Sequence, residues 1–209
     1  MKNKLVKILM LLIGFSVYAQ SYTFDYKINF NSYNDKTKVS INESSYIINS
    51  KNPLYEMHLF DKNGRLWDHE NNLLRIFNYN KVNNKSIYEF TSYQRKLILD
   101  NEKVINHIVV NEINKNHYSI KCFPKKENRN ANLEMIVKLK ATDEDLIRFY
   151  YLDLSYTIKN KLIESLKEKL NGNYNYIIES ISVNYKKNSS KSNSHVTGVE
   201  KLNLKITPQ

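Results

Sequence analysis

Tyr22, Phe24, Tyr26, Ile28 and Phe30 alternate with Thr23, Asp25, Lys27 and Asn29 without a fault. Successive side chains of a β-strand point to opposite faces, so this run has one apolar and one polar side. A helix would scatter the same residues around its circumference. Similar runs follow at 39–48 (with a parity change near Asn42-Glu43), 54–60, 66–68 and 73–79. Others cover 87–93, 97–99, 104–110, 118–123 and 133–139. Their separators, such as Asn83-Asn84-Lys85 and Asn114-Lys115-Asn116, are short and built from turn-forming residues. Strands joined so tightly must pair antiparallel, because a parallel pair needs a crossover of a dozen or more residues.

The period then changes. Leu146, Tyr150, Leu154, Ile158, Leu162, Leu166 and Leu170 recur every fourth residue. Thr142 before Asp143-Glu144-Asp145 has the form of an N-cap with an acidic first turn, and Gly172 suits a C-terminal stop. The pattern predicts one long amphipathic helix near 142–171. Steps of four drift by about 40° each on an α-helix, so the helix either curves or breaks near 153–155, where Ser155 can cap a second segment. Two more strands follow at 174–185 and 199–207. Between them the polar, low-complexity stretch 186–196 reads as a flexible loop.

The expected fold is mainly β (α+β): an antiparallel β-meander curled into a barrel or half-barrel, with the helix covering an opening or one face. Strands, helix and strand in that order are similar to the lipocalin plan. A curved sheet around helices is similar to periplasmic lipoprotein carriers. Neither family's motifs are present: Gly64-Arg65-Leu66-Trp67 is not the lipocalin Gly-x-Trp near the first strand, and no helix opens the domain. The likeness is architectural and carries no functional weight.

Lys2, Lys4 and Lys7 precede an apolar run over 8–17, and Val17-Tyr18-Ala19 offers a small-residue cleavage site before Gln20. Residues 1–19 therefore read as a cleaved signal peptide, and 20–209 as a single β-rich domain exported to the periplasm or beyond. An apolar run of ten is too short to span a bilayer, which takes about 20 residues. Cys122 is the only cysteine, so no intrachain disulfide forms, and it reads as a small buried hydrophobe. Without the leader lysines the formal net charge falls from +11 to +8. A basic exported chain suits an anionic ligand or envelope component. Its cations are nearly all Lys, with Arg only at 65, 75, 95, 129 and 148 and no Arg cluster, which argues against nucleic acid.

Chemistry concentrates at 55–70, "YEMHLFDKNGRLWDHE". A type I′ turn on Asn63-Gly64 pairs His58 with His69. A type I turn with a bulge at Gly64 pairs His58 with Trp67 and Glu56 with His69. Both registers place Glu56, His58, Phe60, Arg65, Trp67 and His69 on one side, with Tyr55, Met57, Leu59, Leu66, Asp68 and Glu70 on the other. Glu56, His58 and His69 are the candidate metal ligands, suited to zinc, and would make the chain a metal-dependent hydrolase. Phe60, Arg65 and Trp67 are the candidate ligand-binding residues: two aromatic faces for an apolar or sugar ring and a cation for an anion. Asp68 and Glu70 read as solvated or paired with Lys.

No catalytic residue is assigned. His117 and Cys122 fall on opposite faces of one strand, and neither a nucleophile elbow nor a phosphate-cradling loop occurs. The leading expectation is an exported, non-enzymatic binding or envelope-associated protein holding an apolar or anionic ligand in a curved sheet. The alternatives are the hydrolase and a purely structural interaction protein that uses a strand edge or the helix face.

Overall fold

The computed structural model describes residues 20–83, 85–95, 105–152, 154–186 and 190–207. The expected leader and the short strand at 97–99 lie outside them. The described residues form one 11-stranded sheet. Its strands are β1 Tyr22–Asn34, β2 Val39–Ile48, β3 Tyr55–Phe60, β4 Asn63–Asp68, β5 Leu73–Val82 and β6 Lys85–Arg95. They continue as β7 His107–Asn114, β8 His117–Phe123, β9 Leu133–Ala141, β10 Tyr176–Tyr185 and β11 Ser190–Ile206. One helix among the described residues, α1 Tyr156–Lys167, falls between β9 and β10.

The spatial order is β6-β5-β4-β3-β2-β1-β11-β10-β9-β8-β7, every pair antiparallel. Read as a circle, each strand neighbours its successor, and the last pairs with the first. The meander opens at one seam only: β6 and β7, consecutive in the chain, form the two edges of the sheet. The sheet is thus not a closed barrel. The strands after the helix join the two halves rather than extending an edge.

β11 begins earlier than its composition suggests. Ser192, Asn193 and Ser194 pair with Asn34, Tyr33 and Ser32, and the hydroxyls of Ser32 and Ser194 lie 2.6 Å apart. The expected loop over 186–196 is therefore strand from Ser190 onward. β1 is long enough to offer ladder partners to a segment whose own strand preference is weak.

The helix is shorter than the step-of-four pattern implies. Ser155, the second of the two candidate caps, is the N-cap, and its hydroxyl accepts from the Ile158 amide. Ile158, Leu162 and Leu166 are buried. Residues 142–152 are not helical; Leu146 bridges to Ile177, and Thr142 donates to the Glu144 carbonyl. Four is also a multiple of two, so the same spacing suits an extended chain. Leu146 and Tyr150 enter one core, and Ile147 and Phe149 enter another. A segment buried on both sides is better served by alternation than by a single helical stripe.

Three cores result. The largest lies between β7–β10 and α1, with Ile120, Leu133, Val137, Leu162 and Leu166 at its centre. The second packs Ile28, Phe30, Tyr46 and Ile48 of β1 and β2 against Leu146 and Tyr150. The third gathers Met57, Leu59, Leu66 and Phe77 with Tyr22, Phe24 and Ile206. β1 keeps its alternation yet serves two cores: Tyr22 and Phe24 enter the third, Tyr26 and Ile28 the second. A register irregularity between Phe24 and Tyr26 marks the change, as at the corners where strands pass between layers.

Candidate functional site

The 55–70 hairpin reverses on Asp61-Lys62, pairing Phe60 with Asn63, His58 with Arg65 and Glu56 with Trp67. This is neither expected register. Asp61 takes φ of +49°, a left-handed conformation that Asp tolerates better than most residues. Gly64 is instead inside β4, where an added Cβ would lie 3.3 Å from Leu59 Cδ2 and 3.4 Å from Phe77 Cβ. Its small size, not its turn chemistry, fixes it there. The shift from the bulged register is two residues, so the faces are unchanged. Met57, Leu59, Leu66 and Asp68 are buried, and Glu56, His58, Phe60 and Trp67 are half-buried on the opposite side.

The three candidate metal ligands do not converge. The Ser44 hydroxyl donates to the Leu59 carbonyl at 3.1 Å, so its oxygen receives the Nε2 proton of His58 at 2.6 Å. That bond engages Nε2, one of the two ring nitrogens through which a histidine can bind a metal. The His58 ring also stacks on Tyr46 at 4.6 Å and on Phe60 at 5.8 Å. Burial, then the nearby Arg65 and Lys159 charges, lower its pKa from 6.5 to about 4, so the imidazole is neutral near pH 7. His69 stacks on Tyr156 at 4.3 Å. Only Glu56 and His69 meet, with Oε1 3.9 Å from Nε2 and 3.7 Å from Lys159 Nζ on α1. Among the described residues no group of three or more His, Cys, Asp or Glu is placed to hold a metal ion.

Asp68 is a second correction. It is neither solvated nor paired with Lys but 2% exposed. Tyr22 OH and Gln20 Nε2 donate to its Oδ2 at 2.7 and 2.8 Å, and the Asn71 amide donates to Oδ1 at 2.9 Å. Burial opposes its charge, but the hydrogen bonds from Tyr22, Asn71 and Gln20 outweigh it and hold the carboxyl below its usual pKa. Arg75 Nε donates to the Tyr22 oxygen at 2.9 Å, closing the network. Cys122 is buried on β8, and desolvation pushes its thiol up to about 12, which makes it chemically inert.

The candidate ligand residues separate. Phe60 lines a cleft of about 530 Å³ with Leu59, Asp61 and Tyr79 on one side and Lys27, Asn29, Ser45 and Thr197 on the other. Arg65 is exposed on the face of the hairpin opposite Leu59, its guanidinium 5.4 Å from the Phe60 ring centroid. Trp67 pairs with Glu56 further along the hairpin and does not line the cleft. Sequence reasoning missed Lys27, Asn29 and Ser45. They occupy the polar side of strands read for their apolar side, and only the pairing of Asn29 with Ser45 joins them to Leu59. Ser45 Oγ donates to Asn29 Oδ1 at 2.7 Å, and Asn29 Nδ2 donates to Glu200 at 2.6 Å.

Compared with protein-family models and with curated sequences, the chain matches none. No helix among the described residues is long and apolar enough to cross a membrane.

Proposed function

We propose that this chain is an exported, non-enzymatic binding protein whose Phe60 cleft takes a small ligand with a ring or short apolar face and a polar end. The observation that carries the reading is the lining. Leu59 and Tyr79 provide an apolar and aromatic wall beside Lys27, Asn29 and Ser45 on the adjoining strands, all on one face of the sheet by register. A cleft of about 530 Å³ is of small-ligand size. An aromatic face with a few oriented polar groups is how such sites combine affinity with selectivity. The leader-like residues 1–19 support export, and the positive balance of the chain supports an anionic polar end.

Native mass spectrometry of protein purified from its source tests the reading. A bound small molecule should be retained by the natural chain and lost from Tyr79→Ala, with calorimetry on the identified compound showing at least a tenfold weakening. Retention by Tyr79→Ala, or a natural chain that carries and binds nothing, would overturn it.

A further inference from the structure

A second cleft of about 340 Å³ lies over β8–β11, lined by Ser119, Lys121, Ile136, Ser182, Lys191 and Asn193 among others. Directly paired residues share a face of a sheet, so register decides how the two clefts are related. Tyr33, Asn193, Ser182, Ile136 and Ser119 pair in succession across β1, β11, β10, β9 and β8. On β1, Lys27, Asn29, Asn31 and Tyr33 alternate with the buried Ile28 and Phe30, and so project from that same face. Lys27 and Asn29 belong to the Phe60 cleft. Both clefts therefore open on one side of the sheet. Six residues of β1, about 20 Å, separate Lys27 from Tyr33, and four strand spacings, about 19 Å, separate β1 from β8.

We propose that the two clefts are the ends of one trough that binds a single linear oligosaccharide. The inference rests on the reading of the Phe60 cleft as a binding site and names its ligand class. Hydroxyls and amides recur along this face: Asn29 in one cleft, Asn31 on the strand between, and Asn193, Ser182 and Ser119 in the other supply both donors and acceptors, as a polyhydroxylated chain requires. Tyr79 in the Phe60 cleft and Tyr33, 37% exposed, offer ring faces. Ile136, 46% exposed beside Ser182 and Ser119, is the apolar contact in the other cleft.

Charge selects against the other long occupants. Lys27 lines one cleft with Asp61, and Lys121 and Lys191 line the other with Glu134, itself paired with Lys186 at 2.6 Å, so the three lysines are divided between the clefts and make no continuous row. A nucleic acid needs a row of unopposed cations at its phosphates. A protein partner needs a core of aromatic and apolar anchors, which these serines and asparagines do not make.

Calorimetry of the natural chain against neutral and uronic-acid oligosaccharides of one to six sugars tests the proposal, with Tyr79→Ala and Ser182→Trp beside it. Ser182 is exposed, so the indole fills the trough without entering a core; circular dichroism verifies the fold. Affinity should rise at least tenfold from the disaccharide to the hexasaccharide. Ser182→Trp should abolish that rise while leaving disaccharide binding intact, and Tyr79→Ala should weaken every length. Length-independent affinity, or a rise that survives Ser182→Trp, overturns the single trough but leaves the Phe60 cleft as a binding site. Failure of every sugar to bind, while another small molecule is lost on Tyr79→Ala, refutes the oligosaccharide alone. Failure of both removes the two readings together.

Discussion

β7–β10 and β2–β4 are stretches of one sheet with opposite solutions to burial. In β9, Leu133, Met135, Val137 and Leu139 are buried under α1 while Ile136, Lys138 and Lys140 face out. In the hairpin and its neighbours both faces are covered. Met57 and Leu66 are fully buried on one side, and Tyr46 and Ile48 on the other. The first region is an ordinary amphipathic sheet on which the apolar stripe of an amphipathic helix rests. The second has to bury polar groups with its apolar ones, and so it carries the neutral His58, the Asp68 network and the Glu56–His69–Lys159 contacts. Two-sided burial turns ionisable side chains into structural parts whose charge state matters to stability.

The comparison can be broken at the helix first. Leu162 is fully buried at the centre of the β7–β10 core. Leu162→Ala should cost about 4 kcal/mol, measured by urea unfolding. Local hydrogen exchange should show β8–β10 losing protection before β2–β4. Equal loss in both regions would mean that the cores act as one unit.

Acid should act on the other half. His58 binds its proton at about pH 4 in the folded chain and at about 6.5 when unfolded. Its contribution is therefore complete above 6.5 and declines as the pH falls toward 4, because the unfolded chain takes up the proton first. The loss is up to about 3 kcal/mol. Chemical unfolding at stepped pH should show this slope, and His58→Gln should flatten it. A slope unchanged by His58→Gln would remove His58 as its source. The depressed Asp68 carboxyl works in the same direction at lower pH, since its contribution is also lost on protonation.

The smallest effect sharpens the boundary of the helix that separates the regions. Ser155→Ala should cost about 1 kcal/mol through the lost N-cap. Thr142→Ala, which removes no cap, should stay within about 0.5 kcal/mol. The reverse ranking in thermal melts would restore a helix beginning near 142.

Much of the fold is legible in the chain because the signal is local. Tyr22 to Phe30 alternates whether or not β11 is known, and turn-formers between short runs force antiparallel neighbours. Leu146 and Tyr150 mislead for a physical reason: a spacing of four fits both a helical stripe and an extended chain buried on two sides. Asn63-Gly64 misleads because glycine serves tight packing as well as turns, and only the proximity of Leu59 and Phe77 decides between them. The shared face of Glu56, His58, Phe60, Arg65 and Trp67 is preserved, since any register shift of two conserves it.

What the sequence determined alone is most of the strands, their antiparallel sense and the sidedness of the hairpin, all consequences of backbone geometry over a few residues. Pairing of β1 with β11, the seam between β6 and β7, the division of β1 between two cores and the capture of His58 by Ser44 belong to the tertiary structure. Each depends on contacts between residues distant in the chain. Whether a polar side chain meets water, a hydroxyl or an aromatic ring is set by what the rest of the molecule lays across it.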